Sequence, residues 1–184
     1  CLQGGLIPHV VGLAARDTVA RRNLEERIMS EEKVQPQKMV EDGNGYDGPT
    51  EDLLPHRKPF LFVDKLLYCD QKRYVGEMTF GEDMWFFKGH FPDFPVVPGV
   101  ILVESMAQCG GAGLVASGIV RNRLFFLIGV DGAKFRRPVR PNDKLRMEIA
   151  NAKVTSRMIV QHGKAYVGDE LAAEAEFRCV LGPG

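Results

Sequence analysis

The sequence carries no surplus charge: 24 lysines and arginines meet 24 aspartates and glutamates over 184 residues. That balance gives no global case for nucleic acid or an anionic membrane as a partner. Cysteine is scarce. Cys1, Cys69, Cys109 and Cys179 stand far apart and form no CxxC, so free thiols in a reducing compartment are expected rather than a disulfide framework. No apolar run reaches 18 residues and no N-x-S/T sequon occurs, which leaves membrane spanning and secretion without support. The four histidines (His9, His56, His90 and His162) lack metal-ligand spacing, and no GxSxG marks a serine hydrolase. GAGLVA at 111–116, with Asp131 further on, matches a dinucleotide fingerprint in letters only. SMAQCG separates it from the apolar VILVE, and no further βαβ units follow.

What is present is a hydrophobic fraction of 45% and a charged fraction of 26%, the composition of a soluble globular protein of about one domain. Residues 1–50 and 51–184 read differently. The chain starts CLQGGLIPHVVGLAARDTVARR, with Arg16, Arg21 and Arg22 against Asp17 and no initiator Met. That composition suits the end of an organellar transit peptide or, equally, a processing remnant without meaning. Residues 17–32 suit one helix, capped by Asp17 or Thr18 with Val19, Leu24 and Ile28 on its apolar side. VQPQKMVEDGNGYDGPTED, at 34–52, is aperiodic and rich in Gly, Pro, Asn and Asp, which reads as a linker. Residues 1–50 are therefore expected to be a mobile or weakly docked extension.

From Pro59 the patterning strengthens. FLFVDKLLYCD (60–70) and RYVGEMTF (73–80) predict a hairpin about Gln71 and Lys72. GVILVESMAQCGGAGLVASG (99–118) is apolar nearly all round, so as a helix it is expected to be buried on every side. Residues 124–131, 144–154, 157–168 and 170–181 predict four more strands, with turns in RPNDK and VGDEL. Two strands, one helix and four strands, without a second crossover helix, imply an α+β fold in which an antiparallel sheet curls around one central helix.

Chemistry concentrates in KGHFPDFPVVPGVILVE (88–104). Pro92, Pro95 and Pro98 fix φ and restrict the residues before them, while Gly89 and Gly99 permit close backbone approach. Such a loop holds His90 still, as a catalytic base requires. Glu104 lies within an apolar helix, with Gln108 one turn on. It is either a residue of an exposed helix edge or a general acid kept protonated by apolar surroundings. Residues 121–146 hold eight basic residues against Asp131 and Asp143. This local excess is either a solvated rim or a dock for an acidic carrier; no interleaved aromatics suggest nucleic acid.

LPHRKPFLFVDK (54–65), GHFPDFPVVPGVILVESMAQ (89–108) and FFLIGVDGAKFRRPVRPNDKL (125–145) closely resemble the 3-hydroxyacyl-[acyl-carrier-protein] dehydratases of type II fatty acid synthesis, the FabZ type. The resemblance spans roughly residues 51–180 and implies the hot-dog fold, a sheet wrapped around a long helix. It implies that His90 is the catalytic histidine and Glu104 the catalytic glutamate, the two meeting across a dimer interface. In related FabA-type dehydratase/isomerases an Asp takes the acid's place, so Glu104 implies dehydration without isomerisation. The resemblance further implies substrate contacts from Gln108 and Gly99 and an oxyanion-binding N–H at Gly111. Phe126 stands where several relatives carry a tunnel-gating Tyr. The implied substrate is a (3R)-hydroxyacyl group on acyl carrier protein, docked through Lys134, Arg136, Arg137 and Arg140. Neither cofactor nor metal is implied. The implied assembly is a homodimer as minimal active unit and a hexamer as a trimer of dimers. With the N-terminal composition, this chemistry suggests a plastid-type organelle, the alternative being a bacterial cytoplasm. Two rivals for the function are a hot-dog acyl thioesterase, with Glu104 activating water, and a non-catalytic carrier-binding module.

Overall fold

The computed structural model describes residues 43–121 and 123–182, all within one compact unit, Gln37–Gly184. The expected helix at 17–32 and the transit-peptide stretch lie outside the described residues.

Seven strands form one antiparallel sheet in the order β1-β2-β3-β5-β6-β7-β4. They are β1 (Asn44–Tyr46), β2 (Lys65–Cys69), β3 (Arg73–Thr79), β4 (Phe125–Phe135), β5 (Lys144–Val154), β6 (Met158–Val167) and β7 (Glu170–Leu181). Among the described residues, a single long helix, α1 (Gly99–Ala116), touches every strand from β2 to β7. The strands alternate as a half-buried sheet requires. Leu145, Met147 and Ile149 of β5 turn inward, as do Ile159, Gln161, Gly163 and Ala165 of β6. Small residues let the helix lie close to the sheet. A Cβ at Gly163 would stand 2.9 Å from the Met106 sulfur, and one at Gly113 would overlap the Tyr74 ring. By composition α1 is apolar enough to cross a membrane, yet 78% of it is buried inside this fold. The three described cysteines, Cys69, Cys109 and Cys179, are buried.

Three expectations about the elements need correction. First, the linker reading fails at its end: β1 pairs with β2, and buried Thr50 donates its hydroxyl to the Val63 carbonyl at 2.7 Å. The domain therefore starts before residue 51. Second, the strand expected from Phe60 begins only at Lys65. Residues 60–62 bond to a helix side chain instead: Phe62 N–H donates to Gln108 Oε1 (2.7 Å), and Gln108 Nε2 donates to the Phe60 carbonyl (3.1 Å). Third, α1 is not buried all round. Val100, Glu104 and Ala107 stay partly or wholly uncovered, and their spacing puts them on one stripe of the helix.

Candidate active site

His90 follows a short 3-10 turn, Trp85–Lys88, whose Phe86 and Phe87 are buried. Its backbone N–H donates to the Phe86 carbonyl at 2.8 Å. The ring is fixed twice: Nδ1 lies 2.9 Å from the Val96 carbonyl, and the Phe91 ring packs against it at 4.3 Å between centroids. A carbonyl oxygen only accepts, so Nδ1 carries a proton. In the neutral ring, Nε2 then keeps its lone pair, the form a general base needs. Phe91 adopts φ of 61°, a strained conformation for a bulky residue, directly beside the histidine. The loop's far end is tied down by Val97 N–H donating to the Val139 carbonyl at 2.8 Å.

Glu104 sits on the uncovered stripe of α1. Its side chain is 23% exposed, so the enclosed apolar setting expected for it is absent from the protomer. Gln108 Nε2 donates to Glu104 Oε1 at 2.9 Å, and His56 Nε2 stands 3.6 Å from the same oxygen. In the sequence His56 has no metal-ligand spacing and no other mark of a role. Its one signal was membership in LPHRKPF, 48 residues before Glu104, and only the fold joins the two. Burial pushes the His56 pKa down, Glu104 opposes this, and Arg57 adds to it. Cys179 of β7 lies near enough that Glu104, after burial, helps push its thiol to about 11, which leaves it unreactive. Among the described residues, no hydrogen bond or ion pair joins His90 to Glu104.

The other expected site residues separate. Gly99 opens α1 behind Pro98. As the first helical residue, it has no carbonyl one turn earlier for its N–H, and it lies at the positive end of the helix dipole. Gly111 is buried twelve residues further along the same helix. There the N–H is committed to the helical ladder, so the expected oxyanion role does not suit it. Phe126 is half exposed and packs over Gly182, whereas its neighbour Phe125 faces Gly111. Strand alternation thus turns Phe126 away from the helix, and Phe126 also lacks the hydroxyl of the Tyr that several relatives carry there.

The basic excess is largely balanced by acids, most of them from other strands. Lys134 and Arg136 share Glu174 (3.6 and 2.6 Å), and Arg137 meets Glu170 (2.7 Å) and Asp143 (3.6 Å). Lys144 pairs with Glu77, and Arg146 with Glu148. Arg140 instead lies over the Phe94 ring at 4.6 Å, a cation–π contact with the His90 loop. Arg136 and Arg137 also border an open cleft of about 560 Å³ lined by Phe91, Phe94, Gly99 and Phe135.

The FabA-like domain family model matches residues 54–176. The 3-hydroxyacyl-[acyl-carrier-protein] dehydratase FabZ of Desulforamulus reducens is 42% identical over 133 residues, 72% of this chain and 94% of the relative. That of Moorella thermoacetica is 42% identical over 131 residues, 71% of this chain and 92% of the relative. In structure, the dehydratase heterocomplex ApeI:P from Xenorhabdus doucetiae superposes with a TM-score of 0.67 at 14% identity, covering 75% of this chain and 93% of that one. A mutant thioesterase, PA1618 from Pseudomonas aeruginosa, reaches 0.51 at 14% identity, covering 65% and 81%. These two show the hot-dog fold alone. The sequence relatives are bacterial and lend the plastid-type compartment no support; the cytoplasmic alternative fits them. The chain belongs to the FabA-like family, among its FabZ-type 3-hydroxyacyl-[acyl-carrier-protein] dehydratases.

Proposed function

We propose that this protein dehydrates (3R)-hydroxyacyl-[acyl-carrier-protein] to the trans-2-enoyl thioester, using His90 as base and Glu104 as acid. The observation that carries this reading is the His90 ring, held by Val96 through Nδ1 so that Nε2 is free to accept a proton. Nε2 removes a C2 proton from the substrate. Negative charge develops on the thioester oxygen, where the Gly99 N–H, rather than that of Gly111, is the suitable donor; such a contact is worth about 3 kcal/mol. Glu104 protonates the C3 hydroxyl as the C3–O bond breaks, water leaves with that bond's electrons, and the pair left at C2 by the C–H bond becomes the C2–C3 π bond. These transfers leave His90 protonated and Glu104 ionised; return of that proton from His90 to Glu104 by way of water restores both, so the balance closes without a cofactor or metal.

His90 and Glu104 are read as coming from different protomers of a homodimer. Support comes from β4, which ends the sheet and leaves Phe126, Leu127, Ile128 and Val130 between 40% and 56% exposed. An apolar edge strand of this kind invites pairing with a second copy. A dimer built on it is isologous and holds two equivalent sites. The hexamer, as a trimer of such dimers, rests on the family resemblance. The carrier is read as docking beside the His90 loop, where Arg136, Arg137 and Arg140 flank the cleft. Pairing of Lys134, Arg136 and Arg137 with acids makes Arg140 the strongest of the four candidates. Residues 51–184 carry this chemistry together with β1; the residues before β1 are read as an extension of separate role.

The thioesterase alternative has support from fold likeness only. One assay separates the two: incubation with a 3-hydroxyacyl carrier substrate, following enoyl absorbance and free thiol together. Enoyl product without thiol is expected, and a His90→Ala variant that folds normally should lose at least about 10²-fold in rate. Thiol release without enoyl, or an unimpaired His90→Ala, would overturn the reading.

A further inference from the structure

Glu104 is approached from one side only. Gln108 cannot reverse its amide: Oε1 accepts the Phe62 N–H, while Nε2 donates to the Phe60 carbonyl and to Glu104 Oε1. A flipped amide would set donor against donor at Phe62 and acceptor against acceptor at Phe60. At Glu104, therefore, Gln108 only donates. His56 obeys a similar constraint. Its Nδ1 is buried without a hydrogen-bond partner, and its Nε2 faces Glu104 Oε1. A proton on Nδ1 would be a buried orphan donor, which folded proteins avoid more strictly than an unused lone pair. The neutral ring is thus best satisfied with its proton on Nε2, aimed at the carboxyl. At 3.6 Å the pair stands just beyond a formed hydrogen bond, and catalytic contacts of this type tighten when substrate binds.

Resting on the dehydratase reading, we propose that His56 is a positioning residue: with Gln108 it occupies Oε1 of Glu104 by donation, confining the acid proton to Oε2 and aiming it at the leaving hydroxyl. Both donors converge on one oxygen, and among the described residues Oε2 has no partner. A carboxylic acid whose proton sits on the wrong oxygen must rotate or exchange before it can act. His56 acts on the acid step alone, so its loss should appear in turnover and not in substrate affinity.

The test compares His56→Leu, which removes the donor, with His56→Gln, whose amide restores an N–H near the position of Nε2. Circular dichroism and gel filtration check fold and assembly; should the leucine variant not fold, His56→Asn, polar but too short to reach Oε1, replaces it. The donor-less variant is expected to lose about tenfold or more in kcat with KM within twofold, and His56→Gln to recover most of that loss. A general packing role would not separate two folded variants by the presence of a donor. Turnover by His56→Leu within twofold of wild type, or an equal loss in His56→Gln, overturns the positioning role while leaving the dehydratase reading intact. Wild-type turnover by Glu104→Gln would overturn both, which distinguishes the two failures.

Discussion

At the scale of single residues, two histidines each have one constrained nitrogen, and the constraints are opposite. His90 has its Nδ1 on a carbonyl and its Nε2 free; His56 has a buried, unused Nδ1 and its Nε2 toward a carboxyl. Burial lowers the His56 pKa, with Arg57 adding to the effect and Glu104 opposing it. The folded chain therefore binds this proton less readily than the unfolded chain, whose histidine titrates near about 6.5. Stability linked to His56 is intact above that value and is lost as pH falls through the window down to the folded pKa. Thermal melting should accordingly show a shallower loss of Tm between pH 7 and pH 5 in His56→Gln than in wild type. Parallel curves would show that His56 is not held neutral by the fold. None of this was legible in the sequence. A histidine 48 residues from its carboxylate gives no local signal, and LPHRKPF offers no periodicity to place the ring.

The elements were far more legible, for reasons visible in particular strands. The limits read for β5 and β7 match the structure at both ends, because inward and outward residues alternate over Lys144–Ile149 and Ala173–Cys179 and turn residues precede each segment. Asn142, at φ of 65°, and Gly168, at 59°, make two of those turns. Prediction slipped where pairing rather than pattern decides. β1 is three residues whose partners, Leu66 and Cys69, supply its order. β4 runs four residues past its expected end because a register shift between Asp131 and Lys134, at Gly132, lets the strand resume. Within α1 the glycines looked alike in sequence and differ in space. A Cβ at Gly111 would meet Leu54 at 3.4 Å and Phe125 at 3.7 Å, near ordinary contact, whereas one at Gly113 would overlap the Tyr74 ring. Gly113→Ala should therefore cost about 1–3 kcal/mol by overpacking. Gly111→Ala should be neutral or stabilising by up to about 1 kcal/mol, as alanine favours helix, and should keep its activity. Denaturant titration and the dehydration rate check both. A hundredfold activity loss in a stable Gly111→Ala would return the oxyanion role to that residue.

At the scale of the whole molecule, the dimer proposed above divides each site between two chains, and in the single chain the outward faces of both halves lack cover. The His90 loop opens beside Phe94, Phe135 and the arginines. Glu104 lies on a helix stripe with Val100, 74% exposed, and Ala107. β4 ends the sheet with apolar residues facing water. The sequence suggested a helix buried on every side because it was apolar on every side; a single chain leaves one stripe free. Charge along one stretch is misleading in the same way, since Glu170, Glu174 and Glu77 arrive from other strands, and Glu148 from two residues on in β5, to offset the basic run. Subunit complementation tests the central claim most directly. His90→Ala and Glu104→Gln are purified separately, then unfolded, mixed in equal amounts and refolded, with dimer content checked by light scattering. Each variant alone should be inactive. The mixture should regain about a quarter of wild-type dehydration, because half of its dimers are mixed and each of those holds one intact site. A mixed dimer that stays inactive would contradict a site shared between protomers, and full activity in either variant alone would contradict the assignment of base and acid.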